Sequence, residues 1–354
     1  MRRDLPGSEF PRLVSLIAMA AFRHPAAHGE RYTMMALPAL ELRTPSPPPT
    51  LLDAVRAFNR EHADDALGIP LEKVAGQQYL DGMVARTWPT IAKLADTIRS
   101  IIASGPGAVV VRNLGFEDYE PDTRASLLLA LTSAIGMPTD HAKDRRVLWP
   151  IIERAPRPGR VRTFSERTGE APFHTDSAFS PEPELYNGLY VVRRAGCGGG
   201  LSRLISAQAV IDRVAASEDG ARCIKLLRTL RFPFHIPEAF FRGGSRVITA
   251  PILADKPMIR FRPDSIQTGF EAMPELATAD HRWAFRKIWE AIESHPDVLE
   301  YMLEDGEFIV FDNHRLLHAR GDYTDPLRHL VRIRMAERVR ATSPVEHRVA
   351  ALVQ

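Results

Sequence analysis

Cysteine is nearly absent: the 354 residues hold two, Cys197 in a glycine-rich turn and Cys223 in an expected helix. So few thiols exclude a disulfide-stapled secreted scaffold, and a reducing cytoplasm is the simpler setting. Long apolar runs are missing, since none approaches the roughly 18 residues that a membrane span requires. An excess of one charge is missing too. Forty-six Lys plus Arg against 44 Asp plus Glu leave a net charge of +2, too balanced for the footprint of a dedicated nucleic-acid binder. Neither a membrane nor a nucleic acid is an expected partner. There is no internal repeat, and low complexity is confined to Thr44-Pro45-Ser46-Pro47-Pro48-Pro49.

What is present is the mixture of an ordinary soluble globular protein, with hydrophobic residues at 45% and charged residues at 25%, long enough to bury a full core. The proline cluster cannot continue a helix, so residues 1–50 are expected to be an extension and 51–354 a single domain. The extension reads as disordered, or as a start codon called too early with Met34 or Met35 as the true beginning. Met1-Arg2-Arg3 before the apolar stretch Leu13 to Phe22 faintly resembles a signal peptide, but Asp4 and Glu9 interrupt its basic start.

Apolar residues at helical spacing predict helices over Leu51 to Ala63, Pro89 to Ser104 and Pro121 to Ile135, with a buried strand over Gly107 to Leu114. After about residue 145 the texture changes to short β-type runs: Arg146 to Ile152, Tyr186 to Arg193, Leu201 to Ser206, Arg246 to Ala254, Met258 to Phe261, Glu307 to Phe311 and Arg328 to Ala336. Many short strands between Gly and Pro turns predict a sandwich or jelly roll. Helices at Ala207 to Ala216, Arg222 to Leu230 and His281 to Glu293 would pack outside it. Phe232 to Gly244, rich in Pro, Phe and Gly, reads as a mobile flap.

In Phe173-His174-Thr175-Asp176-Ser177, Pro172 and Pro181 exclude a helix and leave an extended chain. Residues two apart then point the same way, so His174 and Asp176 can grip one metal ion from one side. Two other triplets of this form lack that geometry. His62-Ala63-Asp64 ends an expected helix, where a two-residue step turns side chains apart by roughly 200°. His295-Pro296-Asp297 sits in a turn after a helix, and both are read as surface residues.

A third ligand is offered by Phe311-Asp312-Asn313-His314-Arg315-Leu316-Leu317-His318, where a strand turns into a second extended piece. This segment resembles the distal motif of the taurine dioxygenase and clavaminate synthase superfamily. There an aromatic-Asp-Asn-x-Arg-x-x-His stretch supplies the last iron ligand, and HTD or a close variant supplies the first two. The similarity extends from about residue 105 to 336. It implies a double-stranded β-helix (jelly roll) core with flanking helices, an α+β, mainly β fold, carrying an iron(II)- and 2-oxoglutarate-dependent dioxygenase. His314 competes for the third place, four residues earlier and behind Asp312, but the family pattern favours His318.

Two imidazoles and one carboxylate on one face of an octahedral ion leave positions for 2-oxoglutarate and O2. A zinc site on the same donors is the alternative, but it would usually carry a nearby Glu base as in HExxH, and none is present. Asp176 also argues against halogenation, which needs a small residue there to admit chloride.

In Arg328 to Ala336 the odd positions His329, Val331, Ile333 and Met335 suit cover by helices, so the even positions face the barrel interior. A buried guanidinium calls for an anion, and Arg328 and Arg332 lie about 13 Å apart along an extended strand, too far to share one carboxylate easily. The resemblance implies that Arg328 binds the distal carboxylate of 2-oxoglutarate, with Ser202 after Gly198-Gly199-Gly200 touching the same group, although the family more often has Thr there. It implies also that Arg332 anchors an anionic group of the substrate, while Arg334 is placed at the barrel rim. Phe164, Glu166, Phe179, Asn313 and Asp264 are read as pocket-lining candidates, an acidic one suiting a substrate amine. The expected activity is hydroxylation of a small anionic or zwitterionic metabolite such as an amino acid, with taurine-like sulfonates and betaines as alternatives. A non-catalytic jelly-roll protein that binds metal or a small molecule is the reading from another class.

Overall fold

Val109 and Val111 pack to one side of their strand and Ala108 and Val110 to the other, and this alternation sorts the protein into layers. In this computed structural model the described residues are 17–19, 37–41, 89–140, 146–156, 158 and 162–337. The strand, β3 (Ala108–Arg112), belongs to an eight-stranded sheet. Its path runs β1 (Ile17–Met19), β2 (Pro38–Glu41), β3, β12 (Phe308–Asp312), β7 (Tyr186–Arg193), β14 (His329–Ala336) and β4 (Met137–Pro138), with β5 (Trp149–Ile151) also paired to β14. A four-stranded sheet runs β11 (Leu299–Tyr301), β8 (Ser202–Ser206), β13 (Leu316–Arg320) and β6 (Ala171–His174). Between the two sheets lies a core built by both, including Val110, Val191, Ile309, Phe311 and Leu330 from the first and Leu204 and Leu316 from the second. That is the jelly roll.

Each sheet buries its outer face under helices. α1 (Pro89–Ser104) lays Ile91, Leu94, Ile98 and Ile102, and α2 (Pro121–Ile135) lays Leu127, Leu128 and Leu131, in one cluster with Val109, Val111, Phe308, Val310, Val331, Ile333 and Met335. Pro121 opens α2 where its missing N–H costs nothing. α3 (Ala207–Ala215), α4 (Gly220–Thr229), α5 (Pro263–Ala272) and α6 (Ala279–Glu293) cluster with Phe173, Ile205, Leu317 and Ala319 of the smaller sheet. The hairpin of β9 (Phe232–His235) and β10 (Val247–Ala250) joins this second layer.

The expected alternation in β14 is seen: Val331, Ile333 and Met335 lie in the helix-covered layer and Leu330 inside. Other expectations need correction. Residues 38–41, placed in the extension, form β2 in parallel with β3, and Leu37, Ala39 and Leu40 are buried there; their apolar side chains extend the core by one strand. Residues 232–235, placed in the flap, are a paired strand with Phe232 and Phe234 fully buried. Met258 to Phe261 makes only an isolated bridge, Leu253 with Ile259. α5 was not expected; Pro263 and Asp264 are its first residues, proline being tolerated at a helix start. Leu51 to Ala63 lies outside the described residues. Among those described, no helix is long and apolar enough to cross a membrane.

Candidate active site

His174 and His318 stand opposite each other across the antiparallel pair β6–β13, with ring centroids 4.2 Å apart. Both occupy the inward parity of their strands, since Phe173, Leu317 and Ala319 face the helices. After His174 the chain leaves the sheet and brings Asp176 back, with Ser177 in the left-handed region at φ 54°. One donor atom each from His174, Asp176 and His318 then lies within 4.8 Å of the others. His174 donates from Nδ1 to the Pro172 carbonyl at 2.9 Å, which leaves its Nε2 lone pair free on the side of Asp176 Oδ1, 3.8 Å away.

The backbone of Asp176 is fixed by Asn313, whose Oδ1 accepts from Asp176 N at 2.8 Å and whose Nδ2 donates to Asp176 O at 3.1 Å. Its carboxylate accepts from Asn187 Nδ2 at 2.6 Å and from Arg332 Nη1 at 3.2 Å, and Arg334 Nε lies 3.5 Å away. Two loops around this turn are stapled by buried guanidiniums that donate to carbonyls. Arg260 donates to Ala178, Ser180 and Pro181, and Arg320 to Phe164, Arg167 and Gly169.

Burial lowers the His174 imidazole to about 4, with the Arg262 charge adding to the effect. Burial, then His174, holds His318 well below the usual histidine range. Burial alone would raise the Asp176 carboxyl, but Arg332 and Arg334 hold it well below the usual value. At neutral pH the three therefore present two neutral imidazoles and one carboxylate, the protonation states that a divalent cation binds.

Arg328 is 6% exposed, lies 4.9 Å over the Tyr323 ring, and its buried Nη1 has no hydrogen-bond partner. It packs onto the glycine turn: a Cβ on Gly200, whose φ is +84°, would sit 3.1 Å from Arg328 Nε. Ser202 follows two residues later, opposite Arg320 at the start of β8. An orphaned buried donor beside glycines that keep the backbone close suits an anionic cosubstrate group. The three donors and this guanidinium thus fit iron(II) and 2-oxoglutarate.

The remaining expected residues divide. Asn313 and Glu166 are corrections, each 1% exposed. Asn313 uses its amide on the backbone of Asp176 and Glu184, and Glu166 caps the turn at Thr163 and faces Arg154 at 3.7 Å. The Arg262 guanidinium lies 5.6 and 5.3 Å from the Phe179 and Phe164 rings. The Phe164 ring is also 5.9 Å from His174. Asp264 pairs with Arg262 at 3.2 Å. His314 is directed elsewhere, its Nε2 donating to the Pro183 carbonyl at 2.8 Å. His295 and Asp297 form a turn after α6, with His295 buried rather than on the surface; His62 and Asp64 lie outside the described residues. Arg334, placed at the rim, is 3% exposed and donates to Ser177 Oγ at 2.8 Å; its even parity in β14 already pointed inward. Asn187 and Arg262 were missed. A polar residue inside the apolar run of β7 is the one signal that marks Asn187.

A jelly roll in which His174, Asp176 and His318 form a group that could hold one metal ion has the donor set of a non-haem iron oxygenase. Residues 70–334 match the family described as taurine catabolism dioxygenase TauD, TfdA family, and the chain belongs to it. It is an iron(II)- and 2-oxoglutarate-dependent dioxygenase. Among solved structures, asparagine oxygenase in complex with Fe(II), 2S,3S-3-hydroxyasparagine and succinate is similar over 84% of this chain and 93% of its own, at 17% identity and a TM-score of 0.60. The non-heme iron oxygenase OrfP with Fe and alpha-ketoglutaric acid is similar over 86% and 95%, at 19% identity and a TM-score of 0.59. The same oxygenase with Fe, succinate and (3S)-hydroxy-L-Arg gives 18% and 0.59 over those shares. At such identities the likeness speaks for the fold. No curated protein sequence matches this one.

Proposed function

We propose that the protein hydroxylates an unactivated C–H bond of a free amino acid or a close derivative, releasing succinate and CO2. The observation that carries this reading is Arg332, a guanidinium with 9% of its side chain exposed, placed 3.2 Å from the metal-ligating carboxylate of Asp176. A cation there positions a substrate carboxylate beside the metal. The solved relatives carry hydroxylated asparagine and arginine in the corresponding fold.

In this reading His174, Asp176 and His318 hold the iron. Bound there, iron(II) and 2-oxoglutarate supply the oxidant that places one oxygen atom of O2 on the substrate. Arg328 pairs with the distal carboxylate of the cosubstrate, with the Ser202 hydroxyl beside it. The Pro172 carbonyl fixes the His174 tautomer, and Asn313 and Asn187 hold Asp176 in the orientation that ligation needs. Phe164, Phe179 and Phe240 form an aromatic wall, the last two with centroids 5.1 Å apart, that keeps water from the reacting carbon. Asp264 and Glu184 are the carboxylates near enough to this group of charges to take a substrate ammonium.

Succinate release measured across amino acids, sulfonates and carnitine precursors tests the substrate class. Stimulation by an amino acid supports it. Stimulation by sulfonates or betaines alone overturns it.

A further inference from the structure

The positive charge around Asp176 exceeds what one substrate carboxylate needs. Arg332 and Arg334 are adjacent inward positions of β14, about 6.6 Å apart along the strand, with side chains 9% and 4% exposed. Both face the same carboxylate, Asp176, and neither Nε has a hydrogen-bond partner. Arg262 is the third guanidinium whose charge reaches Arg332, and Glu184 is the carboxylate beyond Asp176 that reaches it. Glu184 accepts from Thr139 Oγ1 at 3.1 Å through Oε1, and its buried Oε2 has no partner.

Once a metal occupies the site, the Asp176 charge is committed to it. Iron(II), Asp176, the two cosubstrate carboxylates and Arg328 together are then neutral. Arg262, Arg332 and Arg334 remain against Asp264 and Glu184, which leaves one buried positive charge uncompensated. A neutral amino acid does not remove it. An acidic amino acid, with two carboxylates and one ammonium, does; a buried guanidinium whose donors are not all taken by carbonyls, as those of Arg260 and Arg320 are, is costly without an anion.

Resting on the oxygenase reading above, we propose that Arg334 is a second anion anchor beside Arg332 and that the substrate is an acidic amino acid. Its two carboxylates meet the two guanidiniums and its ammonium meets Glu184 or Asp264. The Phe240 ring, 5.4 Å from the Arg334 guanidinium, covers that anchor from the loop side.

The test uses anaerobic Fe(II) protein saturated with 2-oxoglutarate, whose weak visible charge-transfer band changes when a substrate enters beside the metal. L-Aspartate is titrated against L-asparagine and L-glutamate against L-glutamine, pairs of matched shape and different charge. At least one acid is expected to bind about tenfold or more tighter than its amide. R334Q is expected to bring the two within about twofold by weakening the acid alone, and R334K to restore part of the difference. An amide or a cationic amino acid that binds as tightly as the acids overturns the inference. So does silence of both acids, or an R334Q variant that weakens acid and amide equally, as a purely structural tie to Ser177 would. A band that fails to form with 2-oxoglutarate alone removes the oxygenase reading itself, whereas a band that forms and ignores acids removes only the acidic substrate.

Discussion

Asn313 holds Asp176 by both backbone polar groups, accepting from its N–H at 2.8 Å and donating to its carbonyl at 3.1 Å. The carboxylate is thereby aimed by a residue five positions before His318, so that one segment both supplies a ligand and orients another. N313A is expected to lower Fe(II) affinity by about 10- to 100-fold, the usual cost of removing a partner that orients a metal ligand. Competition titration against a metallochromic chelator measures this, and an unchanged affinity would show that the Asp176 turn holds itself.

Arg328 tests the cosubstrate assignment separately from the metal. Truncating one partner of a desolvated charge pair costs about 2–5 kcal/mol, so R328A is expected to raise the 2-oxoglutarate dissociation constant by roughly 30- to 4000-fold. Fe(II) affinity is expected to stay unchanged. Isothermal titration of the anaerobic Fe(II) protein separates the two, and an unchanged 2-oxoglutarate affinity would remove Arg328 from that role.

The two thiols are expected to differ in reactivity with pH. Backbone hydrogen bonds at Thr324, then Gly199 and Asp325, bring exposed Cys197 down to about 7, whereas burial pushes Cys223 up to about 11. A lowered thiol pKa means that thiolate is present at lower pH. Alkylation by iodoacetamide is therefore expected to rise through a midpoint near pH 7 at Cys197, to vanish in C197S and to spare Cys223 in the folded protein. A midpoint at the ordinary thiol value would contradict the backbone contacts.

Packing of α5 on β9 has no room to give: a Cβ on Gly269 would lie 2.2 Å from the Pro233 carbonyl oxygen. G269A is expected to destabilise the fold by about 1–3 kcal/mol through overpacking, read as a lower urea midpoint. An unchanged midpoint would mean that the helix and hairpin separate more easily than their shared burial implies.

Much of this architecture was legible where local periodicity and burial agree. Ile91, Leu94, Ile98 and Ile102 mark one face of α1, and Val331, Ile333 and Met335 mark the covered face of β14. His174 and Asp176 were legible because proline on either side forces an extended chain. His318 was distinguished from His314 by family pattern alone, since two histidines four apart in one segment look alike until β13 pairs with β6. What could not be read depends on long-range pairing. Pro38–Glu41 is a strand because β3 and β1 flank it on either side. The side chain of Glu166 turns back on its own loop, while Arg334 meets Ser177 and Asp176 from a strand more than 150 residues away in sequence. Its even parity pointed inward, yet Arg334 was placed at the rim; the fold puts it inside, against Asp176.

His174, Asp176 and His318 are assigned to hold an iron ion that chelates 2-oxoglutarate. Fe(II) and then 2-oxoglutarate, added without oxygen to wild type, H314A and H318A, test it most directly through the visible charge-transfer band of the iron–2-oxo acid chelate. The band is expected in wild type and H314A and absent in H318A. No band in wild type, or a band kept by H318A and lost by H314A, would contradict the account.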